Sequence, residues 1–150
     1  MYSILIVIMA LGLFAALLYA GSSSINIDNY IIKSNKGVIE SSAMTLATQF
    51  SAYENMKGYT LKESNWDDEL FSLNRYSPKI ITGTKWYFHN DTDGVYFCLS
   101  GSVNNVNYAA MKLAETSSDG IAFANIACGA KTTGTTNTFP AEFSVTYWLR

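Results

Sequence analysis

Charge is what this chain lacks first. Met1 to Ala20, MYSILIVIMALGLFAALLYA, contains no acidic or basic side chain and no proline, and the first charged residue is Asp28. A run of about 20 helical residues is long enough to cross the hydrocarbon of a bilayer. Histidine is almost absent: His89 stands alone, with no Ser or Cys arrangement that points to a catalytic triad. There are two cysteines and no CxxC or Cys/His cluster, which excludes a zinc site of ordinary spacing. Ten basic residues against twelve acidic ones give a net charge of −2, scattered without a basic stripe, so no nucleic-acid footprint is present. No Gly-rich phosphate loop follows a strand, and Asp67, Asp68 and Glu69 have no evident partner carboxylate for glycoside chemistry. The expectation is a protein that is not an enzyme and uses no cofactor or metal.

The uncharged run has three readings. A cleaved signal peptide requires a basic residue before its apolar core, and none is present, although Leu18-Tyr19-Ala20 resembles a poor cleavage site. A permanent anchor fits the length. In the third reading a leader is already gone and Met1 is the mature N-terminus. Charge does not orient the segment, because Lys33 and Lys36 lie well beyond it.

The chain divides into a membrane or core helix over 1–20, a polar joint over 21–27, an amphipathic helix over 28–58 and a globular head over 59–150. Gly21, Ser22, Ser23 and Ser24 are weak helix formers and make the joint either a break between two helices or a soft point in one. From Ile31 the period is helical: Ile31, Asn35, Ile39, Leu46, Phe50 and Tyr53 share a face with Ala43 and Ala47. Gly58 ends the pattern as a C-cap glycine. If both helical stretches are continuous they form a rod of roughly 85 Å. Only the second half has a stripe to offer a core. The first is apolar on all sides and must be buried by lipid or by other copies of itself.

Residues 59–80 read as irregular, with a short helix near Trp66 that turns Leu70, Phe71 and Leu73 inward and stops at Ser77-Pro78. Two aromatic runs, Thr84–His89 and Val95–Leu99, flank a turn cluster, Asn90–Gly94, as a hairpin. Tyr108–Ala114 suits a short helix, Gly120–Cys128 a strand, Gly129–Phe139 a Thr- and Gly-rich loop. Glu142–Leu149 reads as the last strand, with Phe143, Val145 and Tyr147 on one face. The fold class is therefore α+β: a long N-terminal helix packed on a small, mainly antiparallel sheet.

Cys98 and Cys128 read as a disulfide in an oxidising compartment, worth roughly 3 kcal/mol, or else as two buried free thiols. Asn90, Asp91 and Asp93 offer oxygens that suit calcium, yet hairpin turns use the same residues, and Asn90-Asp91-Thr92 is a formal glycosylation sequon. Gly12 and Ala16, four residues apart, and Ala15 beside them are small enough to let a neighbouring helix approach closely.

The whole plan resembles a type IV pilin or pseudopilin, through MYSILIVIMALGLFAALLYAG, the amphipathic stretch ending at Lys57-Gly58-Tyr59, and the cysteine pair. The resemblance implies a structural subunit held in the bacterial inner membrane. Assembly machinery then polymerises it, with itself and other pilins, into a cell-surface filament. It also implies that Met1 is the mature, methylated first residue, and that Leu5, Gly12, Ala15 and Ala16 pack in the filament core. Pilins usually carry Glu at the fifth mature position, to meet a neighbour's N-terminal amine; here Leu5 stands there and that salt bridge cannot form. Leu5 also removes the few kcal/mol that a carboxylate costs inside lipid. Members without the acid are often minor subunits, and type IVb-like members start with Met. The alternative is a single-pass anchored extracytoplasmic binding module that does not polymerise.

Overall fold

The computed structural model describes residues 7, 9–16, 26–72 and 77–150. The chain forms two compact units, Met1–Tyr30 and Ile31–Arg150. Within the first, residues 9–16 are helical.

Helix α1 spans Ile27–Lys57. The Asn26 side chain accepts the Asn29 N–H at 3.2 Å, satisfying an otherwise unpaired donor of the first turn. Gly58 ends the helix at φ +72°, and its N–H donates to Glu54 O at 2.8 Å. That left-handed conformation is strained for residues with a Cβ. The apolar period of α1 is realised by Ile39, Ala43, Leu46, Phe50 and Tyr53, all buried. The stripe departs from the sequence reading at Ile31. Ile31 is 38% exposed, because the stripe begins before the core does. Ser42 is fully buried, with its hydroxyl donating to Lys79 O at 3.0 Å, so a loop carbonyl stands in for water.

A 3-10 turn at Glu63–Asn65 leads into helix α2, Trp66–Ser72. Leu70 is buried and Phe71 half-buried, while Leu73 lies outside the described residues. Tyr53 Oη donates to Glu69 Oε2 at 2.5 Å, and Asn65 Nδ2 to Glu69 Oε1 at 2.8 Å. The hydrogen bond to that carboxylate pushes the Tyr53 phenol well above its ordinary pKa.

Four strands follow: β1 (Thr84–Asp91), β2 (Gly94–Val103), β3 (Ala122–Asn125) and β4 (Ala141–Trp148). They form one antiparallel sheet in the order β1-β2-β4-β3. The expected hairpin is present, but pairing continues to Asp91↔Gly94 and leaves only Thr92 and Asp93 in the turn. Helix α3, Asn105–Thr116, connects β2 to β3 and is capped by Asn104, whose side chain accepts the Asn107 N–H at 2.8 Å. Asn107 is buried and ties three segments together, accepting from Asn35 Nδ2 at 2.8 Å and donating to Thr82 O at 3.0 Å.

Alternation along the strands aims Trp86, Phe88, Phe97, Leu99, Phe143 and Val145 into one core with the α1 stripe and with Ala110, Met111 and Ala114 of α3. Helices therefore cover one face of the sheet, an α+β arrangement.

Gly120–Cys128 is not one strand. Pairing stops at Asn125. The reason lies in the strand order: Cys98 is on β2, and β4 stands between it and β3. To reach Cys98 the chain must leave the edge and cross β4. It does so at Thr146, which pairs with Cys98 across the sheet and whose hydroxyl oxygen accepts the Gly129 N–H at 3.0 Å. The disulfide Cys98–Cys128 closes there with the Cα atoms 5.8 Å apart.

Candidate functional site

The first candidate surface is the helical segment 9–16. Successive residues are about 100° apart, so eight of them sample every side of the helix. All are exposed: Met9 at 67%, Leu11 at 64%, Leu13 at 67% and Phe14 at 62%. Gly12, Ala15 and Ala16 are exposed too, and a Cβ on Gly12 would meet nothing within 4 Å. No face of this segment is covered within the described residues. Met1, Leu5 and the joint Gly21, Ser22, Ser23 and Ser24 lie outside them. No helix among the described residues is long and apolar enough to cross a membrane.

Among the described residues of the globular unit, two shallow apolar grooves stand out. One, of about 600 Å³, runs along α1 past Gly37, Ser41 and Met44 and is closed by Ile121 and Leu149. Met44 is 75% exposed there. The Tyr147 hydroxyl, buried in its wall, has no hydrogen-bond partner among the described residues. Burial, with the Glu40 charge nearby, raises its pKa. The other groove, of about 530 Å³, has Trp66, Phe71 and Trp86 in its lining with Lys79 and Lys85. The sequence signal for the first was weak: Tyr147 stood only on one face of the last strand with Phe143 and Val145.

The sheet face opposite the helices is occupied as well. His89 stacks on Tyr96 (centroids 5.0 Å apart), Tyr96 packs on Trp148 (4.5 Å), and Lys131 Nζ sits 4.4 Å from the Trp148 ring. A cation over an indole adds about 0.5–1 kcal/mol where solvent reaches it. His89 Nδ1 is also 3.6 Å from Glu63 Oε1. The lone histidine thus belongs to a packed aromatic row. No group of three His, Cys, Asp or Glu among the described residues is placed to hold a metal ion. The Asp91 side chain falls outside that description.

Glu115 is the most heavily engaged carboxylate of the described residues, and nothing in the sequence marked it. It accepts from Lys112 Nζ at 2.5 Å, Thr133 Oγ1 at 2.6 Å and the Ala124 N–H at 2.9 Å. Burial alone would raise its pKa; the bonds from Lys112, Thr133 and Ala124 outweigh burial and hold it below the ordinary 4.5. A depressed folded pKa means stability that is present above 4.5 and lost as pH falls through the folded value. Glu115→Gln should cost about 2 kcal/mol at pH 7 and flatten the acid limb of stability. Urea unfolding at several pH values between neutral and 3 checks this; equal acid slopes in the two proteins would remove Glu115 from the account.

The described residues therefore present an uncovered apolar helix, two shallow grooves and a disulfide-pinned outer face. No protein-family model matches the chain, and neither a curated protein nor a solved structure matches it.

Proposed function

We propose that this chain is a structural subunit of a type IV pilus-like filament. It is held in the bacterial inner membrane and then polymerised through its apolar N-terminal helix into a cell-surface fibre. The supporting observation is the segment 9–16, uncharged and exposed on every side. The globular unit has its own core, built from the α1 stripe, α3 and the sheet. An exposed apolar surface of this kind needs lipid or protein around it. Copies of the same helix supply that cover when Gly12 and Ala16 let backbones approach. A head-to-tail contact between copies generates a fibre where its rotation does not close into a ring. Partners in this reading are other copies, other pilins and the membrane machinery that extracts them.

Gly12→Leu tests packing without adding charge. A Cβ at this position meets nothing within 4 Å among the described residues. The variant is expected to remain in the membrane fraction while the yield of sheared filaments drops at least tenfold. Mass spectrometry of the native protein should show a methylated Met1. Wild-type protein that stays monomeric in mild detergent and yields no filaments would make it a lone anchored module instead.

A further inference from the structure

Residues 132–138, Thr-Thr-Gly-Thr-Thr-Asn-Thr, hold five threonines and no charge, and Pro140 follows shortly after. Ordinary loops draw on Gly, Asn, Asp, Ser and Pro for conformational reasons. Threonine prefers strands, yet this segment is neither strand nor helix. Its backbone is nonetheless held against the sheet edge. Asn125 Nδ2 donates to Thr132 O at 2.9 Å, and the Gly134 N–H donates to Ala124 O at 2.8 Å. Phe139 packs on Tyr108 with centroids 5.2 Å apart. The result is a fixed, uncharged display of hydroxyls.

The hydroxyls fall into two groups. Thr133 Oγ1 donates to Glu115, and Thr136 Oγ1 donates to Thr138 O at 3.4 Å. Thr132, Thr135 and Thr138 are exposed, as is Thr133, but the hydroxyls of the first three make no hydrogen bond among the described residues. Threonine-rich segments with proline are the compositional mark of O-glycosylated chains.

We propose that Thr132, Thr135 and Thr138 are acceptors for O-linked sugar. In the transfer, a threonine Oγ bonds to the anomeric carbon of a glycosyl phosphate donor. The bond from that carbon to the phosphate oxygen breaks, the phosphate leaves with the electron pair, and the hydroxyl proton passes to a base of the transferase. Thr133 is not an acceptor, because its hydroxyl is committed to Glu115. This assignment does not rest on filament assembly.

The test is mass spectrometry of protein purified from its native cells. Trypsin cuts after Lys131 and releases residues 132–150 as one peptide. The expected result is a mass above that of the bare sequence by one or more hexose or N-acetylhexosamine units. Electron-transfer fragmentation should place them on Thr132, Thr135 or Thr138. The triple variant T132A/T135A/T138A should lose the added mass and keep an unchanged unfolding midpoint. A peptide at its bare mass, or sugar confined to Thr133 or Thr136, overturns the proposal.

Discussion

Phe97→Ala is expected to lower the unfolding free energy by about 4 kcal/mol, the range for truncating a fully buried aromatic side chain. Phe97 has no exposure at all. Its ring is the meeting point of four elements: Phe88 of β1 at 5.1 Å, Trp66 of α2 at 5.5 Å, and Phe50 of α1 at 6.2 Å from its own place on β2. Removing it leaves a cavity walled by large rings that cannot collapse without moving a helix, and it also removes the edge contacts that aromatic pairs add. Phe97→Leu refills most of the volume and should lose about 1.5 kcal/mol or less. Urea unfolding in mild detergent, followed by tryptophan fluorescence, reads both; a Phe97→Ala loss below about 1 kcal/mol would mean that the rings do not form one cluster.

The double variant C98S/C128S is expected to lose about 3 kcal/mol, mainly by releasing the unfolded chain from a closed loop of 30 residues. Its melting temperature should drop on the order of 10 °C. The structural consequence is local. The crossing of β4 is held by the disulfide, by the Gly129 N–H on Thr146 and by Lys131 over Trp148. With the covalent tie gone, exchange protection should be lost first at Gly129 and Gly134, while β1 and the hairpin stay protected. Hydrogen exchange on the oxidised and reduced protein makes the comparison. Uniform loss of protection across the sheet would show that the tie holds the whole unit and not the loop.

Gly129 shows why the crossing is so specific. It sits at φ +80°, and a Cβ there would meet the Tyr96 hydroxyl at 2.6 Å. A side chain at this position would force the loop off the aromatic row. That requirement is invisible in the sequence, where Gly129 looks like any loop glycine.

The long helix, its buried stripe and its stop were legible because they depend on local physics. The 3.6-residue period marks Ile39, Leu46, Phe50 and Tyr53, and a glycine after Lys57 supplies the left-handed turn. The hairpin was legible for the same reason: two aromatic runs around an Asp and Gly cluster leave few alternatives. The two-residue alternation placed Phe143 and Val145 on one face of the last strand, and both are buried. The uncharged opening was plain on inspection, and with it the absence of an acid at Leu5.

What tertiary structure decided is what depends on partners far away in the chain. Strand order placed β4 between β2 and β3, which shortened the third strand and sent Cys128 across the sheet. The same crossing buried Ser144 and Thr146, polar residues that alternation alone would turn to water. Ser42 became a core residue because Lys79 O reached it, and Glu115 became a junction because three donors from separate segments converged on it. A residue's own type and its neighbours three or four places away settle whether it can join a helix or strand. Which polar atom it meets is settled only when the chain closes on itself.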